Sequence, residues 1–74
     1  VILAEVRIER AQKNLMRSQL ERVLEVYRQL GEQISRYEEE TLAEEYLKFW
    51  QELKKNNRQS IDRISRYMVM KCNR

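Results

Sequence analysis

The sequence predicts an all-α chain of long amphipathic helices that associate as a coiled coil or helical bundle. Met16, Leu20, Val23, Tyr27, Leu30, Ile34 and Tyr37 recur at alternating spacings of four and three, the pattern of a seam along one helix face. The chain has no Pro and a single Gly, so the residues that make strand ends and tight turns are nearly missing. Apolar residues make up 42% and charged residues 36%, with a mean hydropathy of -0.83. That balance suits narrow buried stripes beside broad solvated faces rather than disorder.

Length bounds the answer further. A chain of 74 residues is one small helical module, residues 1–74, and a core of this size rarely supplies more than about 3–5 kcal/mol unaided. Support from another helix is therefore expected. No apolar run approaches the roughly 18 residues of a membrane span. Its faces are too mixed for a clean peripheral membrane helix. The chain begins at Val1 and reads as a segment of a longer protein. Cys72 is the only cysteine, so no intrachain disulfide framework exists. An intracellular, reducing location, nuclear or cytoplasmic, is the expectation. Cys72 itself reads as a small apolar residue on the face of Ile61, Ile64 and Met68.

The first element is a long helix over residues 1–37. Ala4, Ile8, Ala11 and Leu15 fall at helical spacing but out of phase with the seam, which carried backwards would bury Glu9 and Lys13. Either the buried face shifts near Leu15 and Met16, or the helix offers two faces to two partners. Leu24 and Val26 flank the seam and widen it beyond a simple two-stranded coil. Tyr27 and Tyr37 are bulky for a parallel dimer core, so an antiparallel pair or a larger bundle fits better. Gly31 costs about 1 kcal/mol relative to Ala inside a helix. Because Leu30, Ile34 and Tyr37 keep phase across it, a continuous helix is expected, with Gly31 admitting a close neighbour.

A fold-back is expected near Glu38–Thr41 or Lys54–Asn57. At the first place the apolar phase breaks, and Thr41-Leu42-Ala43-Glu44 matches a capping box. The same pattern occurs inside the seam at Ser18 and Ser35, so the motif is unspecific. The second element, residues 41–55, carries Leu42, Tyr46, Phe49 and Leu53 on one stripe and Ala43, Leu47 and Trp50 on the next. Two stripes imply burial against more than one neighbour, with Phe49 and Trp50 supplying the largest apolar area. Lys54-Lys55-Asn56-Asn57 is the strongest candidate for a helix end, since cations suit the negative end of a helix dipole and Asn tolerates a left-handed cap. A basic third element, residues 59–72, would then present Ile61, Ile64 and Met68.

Charge is unevenly spread. Residues 31–53 hold two cations against seven anions, and residues 54–74 hold seven cations against one anion. An in-register parallel dimer would set the acidic centre beside its own copy. Folding back near Asn56 would instead place Arg63 and Arg66 beside Glu44, Glu45 and Glu52, although exposed pairs contribute only about 0–1 kcal/mol each.

With no His, no Cys pair and no Gly-rich phosphate loop, neither an enzyme nor a cofactor or metal site is expected. The expected function is a non-enzymatic module that mediates oligomerisation or complex assembly, with a protein partner that is a second copy or a different helix. Its helix–helix residues are Met16, Leu20, Val23, Leu24, Tyr27, Leu30, Ile34, Tyr37, Leu42, Tyr46, Phe49, Trp50, Leu53, Ile61, Ile64 and Met68. The alternative is a basic element, residues 54–74, that binds nucleic acid or an acidic protein surface through Lys54, Lys55, Arg58, Arg63, Arg66 and Lys71, with Tyr67 able to stack on a base. No zinc-finger or basic-zipper signature accompanies those cations.

Overall fold

A computed structural model describes residues 9–72, which form two antiparallel α-helices, α1 (Arg10–Glu40) and α2 (Glu44–Lys71), packed along their length as a hairpin. At 1.5 Å per residue the helices are about 46 and 42 Å long. Ala4 and Ile8 lie outside the described residues, so the proposed phase shift is described only from Glu9 onward. Among the described residues no helix is long and apolar enough to cross a membrane.

The chain reverses on Thr41, Leu42 and Ala43 with neither Gly nor Pro. Thr41 and Ala43 are extended, with φ of -86° and -74°, values any L-residue adopts without strain. The end of α1 is held by Thr41 twice: its amide donates to the Glu38 carbonyl at 3.2 Å, and its hydroxyl donates to the Tyr37 carbonyl at 2.6 Å. The expected capping box does not form. Thr41 spends its hydroxyl on the helix behind it, and Ala43 takes the N-cap of α2 without a side-chain hydrogen bond. Glu44 and Glu45 in the first turn and Lys71 in the last turn complement the dipole of α2. Leu42, expected on an interface stripe, sits on the turn with 95% of its surface exposed.

The other expected fold-back is absent, because α2 runs unbroken through Lys54, Lys55, Asn56 and Asn57. The elements 41–55 and 59–72 are one helix, and α1 continues past Tyr37 to Glu40. Two side chains explain why the break signal failed. Lys54 reaches across to Glu38, with Nζ and Oε1 3.1 Å apart. Asn57, buried at 8% exposure, donates Nδ2 to the Tyr27 carbonyl at 2.9 Å. Residues that resemble a helix cap are here side-chain donors to the opposite helix.

The hairpin is zipped by four rows at seven-residue spacing: Arg17, Leu24, Gly31, Glu38 and Leu20, Tyr27, Ile34, Thr41 on α1, with Leu47, Lys54, Ile61, Met68 and Trp50, Asn57, Ile64 on α2. Every one of these residues is buried or half-buried. Leu24, Ile34 and Cys72 are the described apolar residues that reach full burial. At its open end Arg17 donates Nη2 to the Cys72 carbonyl at 2.7 Å, placing a cation at the negative terminus of α2.

Candidate helix-docking interface

The expected seam splits in two. Leu20, Tyr27 and Ile34 face α2, whereas Met16, Val23, Leu30 and Tyr37 stay 38–44% exposed. In their place the hairpin uses the residues one position later, Arg17, Leu24, Gly31 and Glu38. Leu24 is an apolar core residue, and the other three, which read as polar or small in the sequence, each have a defined role. Arg17 binds the end of α2, Glu38 pairs with Lys54, and Gly31 makes room for Asn57. A Cβ on Gly31 would lie 2.6 Å from Asn57 Oδ1, well inside contact distance. The backbone of α1 therefore approaches the amide of Asn57 as closely as it does only because residue 31 has no side chain. The Tyr27 carbonyl can take the Asn57 donor on its second lone pair while serving its own helix.

Because the in-chain partner covers one edge of the apolar stripe, the other edge is left open along one flank of the hairpin. On α1 it consists of Met16, Val23, Leu30 and Tyr37. On α2 it consists of two more rows at seven-residue spacing, Tyr46, Leu53, Ser60, Tyr67 and Phe49, Asn56, Arg63, Met70. The two helices meet there over shallow grooves. One is lined by Tyr27, Leu30, Ile34, Leu53, Asn56 and Ser60, and the next by Leu20, Tyr27, Ser60, Ile64, Tyr67 and Met70, with Arg63 and Arg66 at its edge. Phe49 and Tyr46 remain 59% and 67% exposed. Trp50 turns inward, with its ring 5.5 Å from Tyr37 and in edge contact with Phe49 at 6.0 Å. Of the stripe Ala43, Leu47 and Trp50, the last two pack on α1 while Ala43 is exposed at the N-cap; of the stripe Leu42, Tyr46, Phe49 and Leu53, only Leu53 is half-buried.

The opposite flank is chemically different. Its groove is lined by Arg28, Gly31, Glu32, Ser35, Lys54, Asn57, Arg58 and Ile61. The hairpin is therefore one-sided, with an aromatic and aliphatic flank and a charged one.

The basic candidates are not gathered. Lys54 is engaged by Glu38, Arg58 lies on the charged flank, Arg63 edges the apolar groove, and Lys71 stands at the open end near Lys13. Arg66 pairs with Asp62 one turn away at 3.0 Å, and both side chains are largely exposed. Lys55 is exposed on α2. Arg63 and Arg66 do not meet Glu44, Glu45 and Glu52 within the chain, because α2 does not fold back on itself. Among the described residues no group of acidic, His or Cys side chains is arranged to hold a metal ion. The chain matches no family model, and neither a curated protein nor a solved structure is significantly similar to it.

Proposed function

We propose that this chain is a helical assembly module whose open apolar flank is covered by one or more helices of a protein partner, closing the hairpin into a larger bundle. The observation that carries this reading is the one-sidedness of the surface. Met16, Val23, Leu30, Tyr37, Phe49 and Tyr67 share one flank at exposures between 38% and 59%, while the other flank is charged. Randomly scattered apolar residues on a solvated surface are ordinary, but large apolar side chains gathered on one flank, here interrupted on α2 by Asn56, Ser60 and Arg63, mark a site of association. The fully buried core of the hairpin is small, so covering the strip would contribute a large part of the stability. The buried thiol of Cys72, free of any disulfide, fits a reducing cytoplasmic or nuclear setting.

Light scattering across a dilution series tests the reading. The mass should exceed one chain at micromolar concentration, and Leu30→Asp, which puts a charge on the strip, should lower it toward one chain. Glu32→Lys on the charged flank should leave the mass unchanged. A well-ordered, solitary chain at every dilution would overturn the proposal, as would Leu30→Asp with unaltered mass and helicity.

A further inference from the structure

The outward face of α2 has a symmetry that the hairpin itself does not use. Its row Tyr46, Leu53, Ser60 and Tyr67 has an exposed aromatic at each end, with Leu53 and Ser60 half-buried between them, and is centred between Asn56 and Asn57. About that same centre the balance of charge changes sign. Glu45 and Glu52 lie toward the turn with Lys48 between them, and Arg63 and Arg66 lie toward the open end with Asp62 paired to Arg66. The spacings 45, 52, 59 and 66 are whole heptads, and 52 to 63 is eleven residues or three turns, so these charges run along the margin of the open flank. Arg63 and Arg66 border the groove together with Asp62. Laid end for end against a second copy, this row sets Tyr46 on Tyr67 and Leu53 on Ser60, and places the half that carries Glu45 and Glu52 opposite the half that carries Arg63 and Arg66. A surface with that property is complementary to itself, as an isologous interface requires.

Resting on the assembly reading above, we infer that the open flank takes a second copy of this chain, lying end for end against it, about a two-fold axis that runs between the two copies beside Asn56 and Asn57. The arrangement sets Glu45 and Glu52 of each copy beside Arg66 and Arg63 of the other, and Tyr46 against Tyr67. It brings together the charge pairs that the sequence offers and that a single α2 cannot form. The side-by-side alternative, with both turns at one end, stacks residues 31–53 of the two copies, each with two cations and seven anions, on one another. Residues 45–67 of α2 span about 33 Å, and a face that long and two helices wide, roughly 20 Å, is of the order of the about 800 Å² per partner that a standard interface buries.

A charge swap at exposed positions tests this geometry with the full chain. At low salt Glu52→Arg alone and Arg63→Glu alone should each weaken self-association by about tenfold or more, because each substitution acts twice across a two-fold axis. The chain carrying both should recover most of the loss, since the pairs are restored with reversed sign. Both positions are solvent-facing, and unchanged far-UV circular dichroism would verify that the hairpin is intact. In a Cys72→Ala background, Asn56→Cys should oxidise to a covalent two-chain product, whereas Glu45→Cys should not, since the latter sites lie far apart end for end. A two-chain mass that ignores the swap, a swap without rescue, or ready cross-linking through Glu45→Cys would overturn the end-for-end pairing while leaving assembly through the flank standing. A mass of one chain throughout, with the hairpin well ordered, would overturn both.

Discussion

At the scale of single residues, Gly31 and Asn57 act as one unit. The amide of Asn57 occupies the space that a Cβ on residue 31 would take, and it is held there by the Tyr27 carbonyl. Gly31→Ala removes a poor helix former, which by itself favours the helix by about 1 kcal/mol. It also displaces the Asn57 amide and strands a buried polar group, which costs about 1–3 kcal/mol. Chemical unfolding should therefore show Gly31→Ala destabilising the wild-type hairpin but stabilising an Asn57→Ala hairpin, by up to about 1 kcal/mol. The same sign in both backgrounds would show that the two positions do not interact. Gly31 was legible in the sequence as a continuous-helix residue with a close neighbour, because the phase of Leu30, Ile34 and Tyr37 survives it. That the neighbour would be Asn57 was not legible. A buried Asn has no signal in a single chain until the carbonyl that satisfies it is located in space.

At the scale of elements, α1 and α2 differ from the expected segments where polar side chains cross between helices. Lys54 and Asn57 resemble the end of a helix only when their partners Glu38 and Tyr27 are out of view. Continuity of α2 has a direct consequence. Proline at position 56 removes a backbone donor and collides with the preceding turn, which costs about 3 kcal/mol or more inside a helix. Asn56→Pro should abolish most of the far-UV helical signal at room temperature, whereas retention of that signal would place a loop at Lys54–Asn57 after all. The turn itself was half legible, since the apolar phase does break after Tyr37. Its location at Thr41, Leu42 and Ala43 depends on how the Thr41 hydroxyl and amide close the last turn of α1.

At the scale of the whole molecule, the hairpin buries little and leaves much apolar surface on one flank. Burial of Leu24 and Ile34 contributes about 1.5–3 kcal/mol each, set against the ordering of a two-helix chain. A partner that binds only the folded hairpin adds stability by mass action. The thermal midpoint should consequently depend on concentration, falling by about 5–10 °C on hundredfold dilution for an assembly of this size. A midpoint that does not move between high and low micromolar concentration would mean that the hairpin carries its stability alone.

Reading the residues in order is enough to show that the chain is helical, that its apolar stripe is wider than one partner helix covers, and that its charge is segregated between an acidic centre and a basic end. Those properties follow from composition and spacing, which act locally along each helix. Which edge of the stripe the chain covers for itself depends on how α1 and α2 meet in space. Leu20, Tyr27 and Ile34 belong equally to a seam with Met16, Val23, Leu30 and Tyr37 and to one with Arg17, Leu24, Gly31 and Glu38. The more apolar set looks like the core when α1 is read alone. The second set prevails in the hairpin because the second half of the chain supplies the Cys72 carbonyl to Arg17 and the Lys54 ammonium to Glu38, and fills the space beside Gly31 with the Asn57 amide. Complementarity between two helices is a property of the pair, and it left the greasier edge facing outward.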